Sequence, residues 1–156
     1  MAFWLAKTEP AECGIEDFER APATPIAWVG VRNYQARNYL KAMAEGDAVL
    51  VYHSSCKLIG VAGVVRVTRT AYPDPTQFDS SSPYHDPKSP ADAPRWVAVD
   101  MVFERRLPEL LTLDDLRALP ALAQMPLLQR GNRLSVMPVT AAEWAHVLQH
   151  AGGKGR

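Results

Sequence analysis

Residues 26–39 combine several groups that could hold a flat ligand with polar edges. Trp28 offers a flat π surface, and Gly30 allows a ligand to approach the backbone closely. Arg32 and Asn33 add hydrogen-bond donors in the first turn of a predicted helix, where backbone N–H groups are unpaired. These groups are suited to holding a flat group with polar edges, such as a nucleobase.

Purely structural interpretations of the same residues stay open at this point. Trp28 can be a large core residue, as tryptophans often are. Arg32 precedes Ala36 by one helical turn, which directs it toward the predicted buried stripe of the helix. A partly buried arginine needs an acceptor, and that acceptor is either an internal carboxylate or a ligand.

Further polar side chains stand at two predicted strand ends. Tyr52 and Ser54 project to one face of their strand, while His53 projects to the other with neighbouring valines. A histidine in that setting is more often a satisfied core residue than a general base, and Ser54 has no base partner that would activate it. The Lys7–Glu9 stretch closes the first strand, which is typical of a pocket rim but more often of an exposed turn.

The motifs that would indicate catalysis are missing. The sequence contains no phosphate-binding glycine loop, dinucleotide fingerprint, His/Cys metal cluster or paired catalytic carboxylates. We therefore predict no enzyme, no cofactor and no metal. Lysine plus arginine and aspartate plus glutamate each number 17, so no net charge draws the chain to nucleic acid or membrane. Any nucleic-acid binding must come from a local site.

The chain of 156 residues is long enough for one domain with a core of its own. We predict a single α/β (α+β) domain over residues 1–151 and a flexible tail at 152–156. The elements that position the candidate residues follow from apolar periodicity and caps. They are strands at Phe3–Lys7, Ala48–His53, Leu58–Thr70, Arg95–Glu104 and Ser135–Val139, and helices at Gly14–Arg20, Val31–Ala44, after Thr112 and after Thr140.

Two features bear on the shape of the domain. Gly60 and Gly63 lie inside a valine-rich strand and predict bulges in a sheet that curls. The segment 71–94 holds six of the thirteen prolines and four aspartates, which is typical of a functional lid or a disordered insert. Phe78 and Tyr84 favour a segment that is pinned on the domain surface.

The cysteines and the N-terminus indicate the compartment. Cys13 and Cys56 have no metal-ligand spacing and are expected to be reduced thiols. The Met1–Lys7 stretch lacks the basic start of a signal peptide, and no apolar run reaches membrane-spanning length. We expect a cytoplasmic protein, a monomer, with no membrane partner.

Beyond these local patterns, the sequence resembles the EVE domain family of the PUA-like superfamily over roughly residues 2–150. Its opening is similar to the W-L-x-K-[ST]-E-P start of the family, and its Trp-x-Gly run is similar to the family hallmark. The matching stretches are Trp4–Pro10, Trp28–Asn38, Tyr52–Ser54, Gly60–Gly63, Ala71–Thr76, Arg95–Trp96 and Leu134–Val139.

This resemblance implies a PUA-like fold, a curled mixed sheet or pseudo-barrel flanked by short helices. It also implies a non-enzymatic reader of modified bases, above all modified cytosine in DNA, with RNA as a further possibility. Its partner is then nucleic acid that carries modified bases. The residues expected to form the base-binding pocket are Lys7, Thr8, Glu9, Trp28, Gly30, Val31, Arg32, Asn33, Tyr52, His53, Ser54, Ser135 and Met137.

Two departures from the family pattern and two alternatives remain. Val29 stands where the family often has an acidic residue, and Met137 stands where it often has glutamine. The first alternative function is an amidohydrolase of acylated cytidine, similar to ASCH domains, in which Lys7 and Glu9 would do the chemistry. The second is a general RNA-binding module.

Overall fold

The computed structural model describes residues 1–151, and the tail predicted at 152–156 lies outside this range. Within the described residues the chain forms six strands, four helices and three single 3₁₀ turns. The strands are β1 (Phe3–Thr8), β2 (Ile26–Trp28), β3 (Ala48–His53), β4 (Gly60–Pro73), β5 (Val97–Thr112) and β6 (Val136–Val139). The helices are α1 (Ile15–Arg20), α2 (Tyr34–Ala42), α3 (Leu113–Arg117) and α4 (Ala141–Ala151), and the 3₁₀ turns are Pro75–Phe78, Pro120–Leu122 and Pro126–Leu128.

These strands form one mixed sheet in the order β2-β5-β4-β3-β1-β6. β1 pairs with β3 in parallel, and the remaining neighbours pair antiparallel. Helices pack on both faces, so the predicted mixed α+β class is confirmed.

The core consists of two apolar layers, one on each face of the sheet. α1 and α2 cover the first layer through residues such as Phe18 and Leu40. α3 and α4 cover the second through residues such as Leu116 and Trp144. β3 lies between the layers and is buried on both faces, which explains why its sequence reads as a continuous apolar run.

Of the two predicted bulges, the one at Gly63 is present, whereas Gly60 pairs in regular register with His53 and Thr112. The register between β4 and β5 shifts between Val61 and Gly63, and the β3–β4 register shifts between Val51 and Tyr52. A side chain at Gly63 would collide with Ile15 of α1, so the glycine allows the helix to lie directly on the strand. Bulges at these positions increase the local twist and bend the sheet toward a barrel.

Several element boundaries differ from the prediction, since β4 continues to Pro73 and β5 continues to Thr112. α2 begins at Tyr34 and not at Val31, because the Asn33 side chain accepts a hydrogen bond from the Ala36 N–H (2.9 Å) and caps the helix. β2 was missed altogether. It is three residues long and follows a proline-rich connector, so it carries no alternation that a sequence pattern could reveal.

The predicted helix starts at two other positions are correct. The Thr112 hydroxyl accepts from the Asp115 N–H, and the Asp115 carboxylate accepts from the Thr112 N–H. Thr140 and Glu143 form the same reciprocal pair at the start of α4. These capping boxes satisfy backbone donors that the helix itself leaves unpaired.

Candidate functional site

A cavity of about 660 Å³ lies at the end of the sheet where β1 and β3 finish and β6 begins. Because β1 and β3 are parallel, their C-terminal ends meet, and the Ser54 N–H donates to the Thr8 carbonyl oxygen (2.9 Å). β6 runs antiparallel to β1, so its start lies at the same edge, and the Lys7 N–H donates to the Ser135 carbonyl oxygen (2.7 Å). The topology thus brings three distant parts of the sequence to one cavity.

Trp28, at the end of β2, lies in the opposite wall. Its side chain is only 7% exposed and stacks on Phe18 with 6.3 Å between ring centroids. It also lines the cavity. The residue is therefore both a core side chain and part of the wall. β2 and β6 are the two edge strands of the sheet. Because Trp28 of β2 and Ser135, which directly precedes β6, line the same cavity, the sheet must curl so that its two edges approach each other.

Tyr84 adds a second aromatic side chain to the cavity. Gly30 has a positive φ of 84°, and a Cβ built there would lie 2.8 Å from the Tyr84 ring, so glycine allows the ring to lie against the backbone. The Tyr84 hydroxyl donates to the Glu12 carboxylate. That hydrogen bond, together with burial, raises the pKa of Tyr84 to about 12. Tyr84 is thereby held between two walls of the cavity.

Asp74 fixes the segment that follows β2. This carboxylate is fully buried and accepts from the Gly30 N–H (2.8 Å) and from the Arg32 guanidinium (3.0 Å). Its other oxygen accepts from the N–H and the hydroxyl of Thr76. A buried carboxylate with four donors is well compensated for its loss of water. The internal carboxylate, one of the two acceptors considered for Arg32, is therefore present.

The segment 71–94 is ordered around two further buried side chains. The Gln77 side-chain amide donates to the Asp74 and Trp96 carbonyl oxygens and accepts from the Ser89 hydroxyl (2.6 Å). The Trp96 indole N–H donates to the Asp86 carboxylate (2.7 Å). The segment is thus pinned to the domain and is not a disordered insert. Its attachment is what delivers Tyr84 to the cavity.

The polar side chains of the cavity differ in how far the protein already satisfies them. The Thr8 hydroxyl donates to the Cys13 carbonyl oxygen (2.7 Å). The Lys7 ammonium group, in contrast, forms no hydrogen bond or ion pair with any described residue, and burial lowers its pKa. Burial is also the main reason that the pKa of the Cys13 thiol rises to about 11, so this thiol is a poor nucleophile. Lys7 therefore has donors left for a ligand.

Eight of the thirteen residues predicted for the pocket line this cavity. They are Lys7, Thr8, Glu9, Trp28, Gly30, Val31, Ser54 and Ser135. Their part in base binding stays a prediction, but the structure brings them together as the resemblance implied.

Three of the predicted residues lie elsewhere. Tyr52 and Met137 belong to the second core layer, on the opposite face of the sheet. His53 lines a separate cavity of about 500 Å³, where its Nε2 accepts from the Ile15 N–H (3.2 Å). Burial is the main cause of the lowered pKa of His53.

Arg32 and Asn33 also differ from their predicted role as donors at the pocket mouth. Every Arg32 nitrogen is engaged within the protein, with Asp74, Thr76, Tyr84 and the Val31 carbonyl oxygen as acceptors. Asn33 uses its side-chain oxygen to cap α2 and lies outside the cavity. Both residues shape the surroundings of the cavity and do not line it.

Sequence reasoning missed several lining residues. They are Glu12, Cys13, Ala27, Val29, Tyr84 and Arg133. Val29 was noted only as a departure from the family pattern, and the structure places it in the wall of the cavity. Tyr84 carried one usable signal, an aromatic residue in a proline-rich segment, but its partner Gly30 is more than fifty residues away.

Comparison with known protein families matches residues 2–150 to the EVE domain. The chain belongs to the EVE domain family. The predicted resemblance is thereby confirmed over nearly the whole described chain. Human thymocyte nuclear protein 1 is 39% identical to this EVE domain over 162 residues, covering 93% of this chain and 72% of the human protein.

Solved structures support the same assignment. A protein from Pseudomonas syringae is 48% identical to this EVE domain, with a TM-score of 0.93 and coverage of 96% of this chain and 99% of that one. The human THYN1 protein, in complex with DNA that contains 5-methylcytosine, is 37% identical with a TM-score of 0.93 and 99% of each chain covered. An ASCH protein from Zymomonas mobilis is only 10% identical at a TM-score of 0.53, which shows a shared fold alone.

Two kinds of structural feature are absent from the described part of this EVE domain. No helix within residues 1–151 is long and apolar enough to cross a bilayer. In the same range, no three His, Cys, Asp or Glu side chains lie where they could hold a metal ion together.

Proposed function

We propose that this EVE domain binds a modified cytosine that has been turned out of DNA, and that it holds the base in the cavity between Trp28 and Tyr84 without catalysis. The observation that carries the proposal is the pairing of two aromatic side chains with the unpartnered Lys7 in one cavity of about 660 Å³. A volume in this range suits a small flat ligand. The DNA complex of the human relative supports the same ligand class.

The groups in the cavity match the needs of an extruded base. Turning a base out of the duplex costs a few kcal/mol, and stacking on an aromatic side chain returns about 1–3 kcal/mol. Lys7 can donate to the cytosine oxygen or ring nitrogen, since its ammonium group lines the cavity and has no acceptor among the described residues. Glu9 can accept from the exocyclic amino group.

Discrimination by the methyl group alone is expected to be modest. One buried methyl contributes about 0.8 kcal/mol, which corresponds to roughly a fourfold difference in Kd. Modifications that add a hydrogen-bonding group allow sharper discrimination, because a mismatched polar group stays unpaired.

The test is a binding titration with duplex oligonucleotides that contain one 5-methylcytosine or one cytosine at the same position. Wild type is expected to bind the methylated probe several-fold more tightly. Tyr84→Ala is expected to weaken binding of both probes by about tenfold, because one stacking face is lost. Phe78→Ala is the matched control, since Phe78 belongs to the same segment, is 42% exposed and does not line the cavity.

Two results would contradict the proposal. Equal affinity of wild type for both probes would remove the preference for a modified base. Turnover of an N4-acylated cytidine, with release of the acyl group, would show an amidohydrolase in which Lys7 and Glu9 have to be reconsidered as catalytic groups.

A further inference from the structure

A second, shallower cavity of about 430 Å³ adjoins the proposed base pocket. It is formed by the residue before α2 and the loop that precedes β6, and Arg133 lines both cavities. A ligand that enters the first cavity and continues along the surface therefore reaches the second.

The second cavity carries positive charge that the protein does not neutralise. Arg130 and Arg133 both line it, and no acidic residue does. Neither guanidinium forms a hydrogen bond or ion pair with any residue in the described range, whereas Arg106 is paired with Glu16 and Glu19. The chain has no net charge, so two unpaired arginines in one cavity create a local region of positive potential.

The loop that presents these arginines is held in place. The Asn132 side chain donates to the Pro126 carbonyl oxygen (2.7 Å) and accepts from the Leu134 N–H (2.9 Å). Gly131, with a φ of 81°, turns the chain between the two arginines. Leu134 then packs against both core layers. The arginines therefore extend from an anchored loop, which reduces the entropy lost when they bind an anion.

We infer that Arg130 and Arg133 bind the DNA backbone phosphates next to the extruded base. This inference rests on the proposed function, because the base bound in the first cavity determines which DNA phosphates lie next to the second cavity. Guanidinium groups are well suited to phosphate because their planar donors match two phosphate oxygens. Phosphate contacts of this kind position the DNA and carry no sequence information.

The test compares Arg130→Gln/Arg133→Gln with wild type in titrations of the methylated and unmodified duplexes across a series of salt concentrations. Each lost phosphate contact lowers the slope of log K against log salt concentration by about 0.9, so the double variant is expected to lose about 1.8. The ratio of affinities for the two probes is expected to stay unchanged. Both arginines are exposed, so the variant should fold, and its thermal unfolding checks this.

Lys41→Gln/Arg105→Gln is the matched control, because it removes the same charge from exposed side chains that line none of the three cavities described above. A salt slope that the Arg130→Gln/Arg133→Gln variant leaves unchanged would overturn the inference. So would an equal loss of slope in the control, or a loss of methyl preference without a change of slope.

Failure of the proposed function has a different signature. Wild type would then bind both probes equally, while a lower salt slope of the double variant would still identify the phosphate contacts. A lower slope seen with single-stranded RNA but not with duplex DNA would overturn the assignment to DNA.

Discussion

Arg32 donates two hydrogen bonds to the backbone carbonyl oxygen of Tyr84, from Nε at 3.0 Å and from Nη2 at 2.7 Å. These two residues are fifty-two positions apart, and the contact joins the segment after β2 to the proline-rich segment. Arg32 is in turn fixed by the buried carboxylate of Asp74. The aromatic wall that Tyr84 provides therefore depends on an ion pair that no ligand needs to touch.

Asp74→Asn is expected to lower the free energy of unfolding by about 3 kcal/mol. The substitution leaves the Arg32 charge without its carboxylate, and breaking a buried pair in this way is strongly destabilising. Urea denaturation measures the loss. Glu19→Gln is the control, because the Arg106–Glu19 pair is exposed on both sides and should change stability by less than about 1 kcal/mol. Equal losses in the two variants would contradict a special role for Asp74.

Gly30→Ala is expected to destabilise the protein and to weaken binding of the methylated probe. The positive φ disfavours any Cβ, and this Cβ would also push against the Tyr84 ring. Gly46→Ala separates the two effects, since Gly46 has a φ of 90° with no atom within 4 Å of the added Cβ. Both variants should lose about 1–2 kcal/mol to strain, and Gly30→Ala should lose more.

Adding Tyr84→Ala to Gly30→Ala completes that comparison by a double-mutant cycle in thermal or urea unfolding. Removal of the ring should recover the part of the loss that comes from the collision and leave the strain. Strict additivity of the two substitutions would show that the ring does not rest on Gly30.

Much of the fold could be predicted from the sequence because the patterns that indicate it involve residues close together in the chain. Strand alternation, capping boxes and the bulge at Gly63 each depend on residues a few positions apart. The cavity depends on register and on long-range contacts, so only the resemblance indicated that Lys7, Ser54 and Ser135 would meet. The acceptor of Arg32 lies forty-two residues away, and local periodicity cannot identify such a partner.

Asp47 is expected to give the protein a stability that is lost in acid. Burial alone would raise the pKa of this carboxyl group, but hydrogen bonds from the Ala44 N–H, the Trp4 indole and the Ala2 N–H outweigh it and lower the pKa. A lowered native pKa stabilises the fold above the unfolded value of about 3.9. That contribution disappears as the pH falls through the native pKa.

Asp47→Asn should therefore be less stable than wild type at neutral pH, and the difference should shrink as the pH falls below about 4. Urea denaturation from pH 7 to pH 3 measures both curves. Asp92→Asn, at an exposed position whose carboxylate forms no hydrogen bond with a described residue, should follow the wild-type curve. A constant gap between Asp47→Asn and wild type would show that the carboxyl group is not the source of the pH dependence.

Val29 and Met137 are both departures from the family pattern. Replacing each with the residue that the family often has is expected to affect base preference at Val29 and stability at Met137. Val29 lines the cavity, while Met137 is fully buried on the other face of the sheet. Val29→Glu introduces an acceptor, so it should favour 5-hydroxymethylcytosine over 5-methylcytosine by about tenfold relative to wild type, since a hydrogen bond to a charged group contributes about 1.5 kcal/mol or more.

Met137→Gln should instead lower the free energy of unfolding by about 2 kcal/mol, because a buried amide loses its hydrogen bonds to water. Competition titrations with the two modified probes and urea denaturation of both variants separate the outcomes. A shift of base preference in Met137→Gln, with Val29→Glu unchanged, would place the modified group at a different wall of the fold. Such a result would require the base to reach the second core layer, which the sheet separates from the cavity.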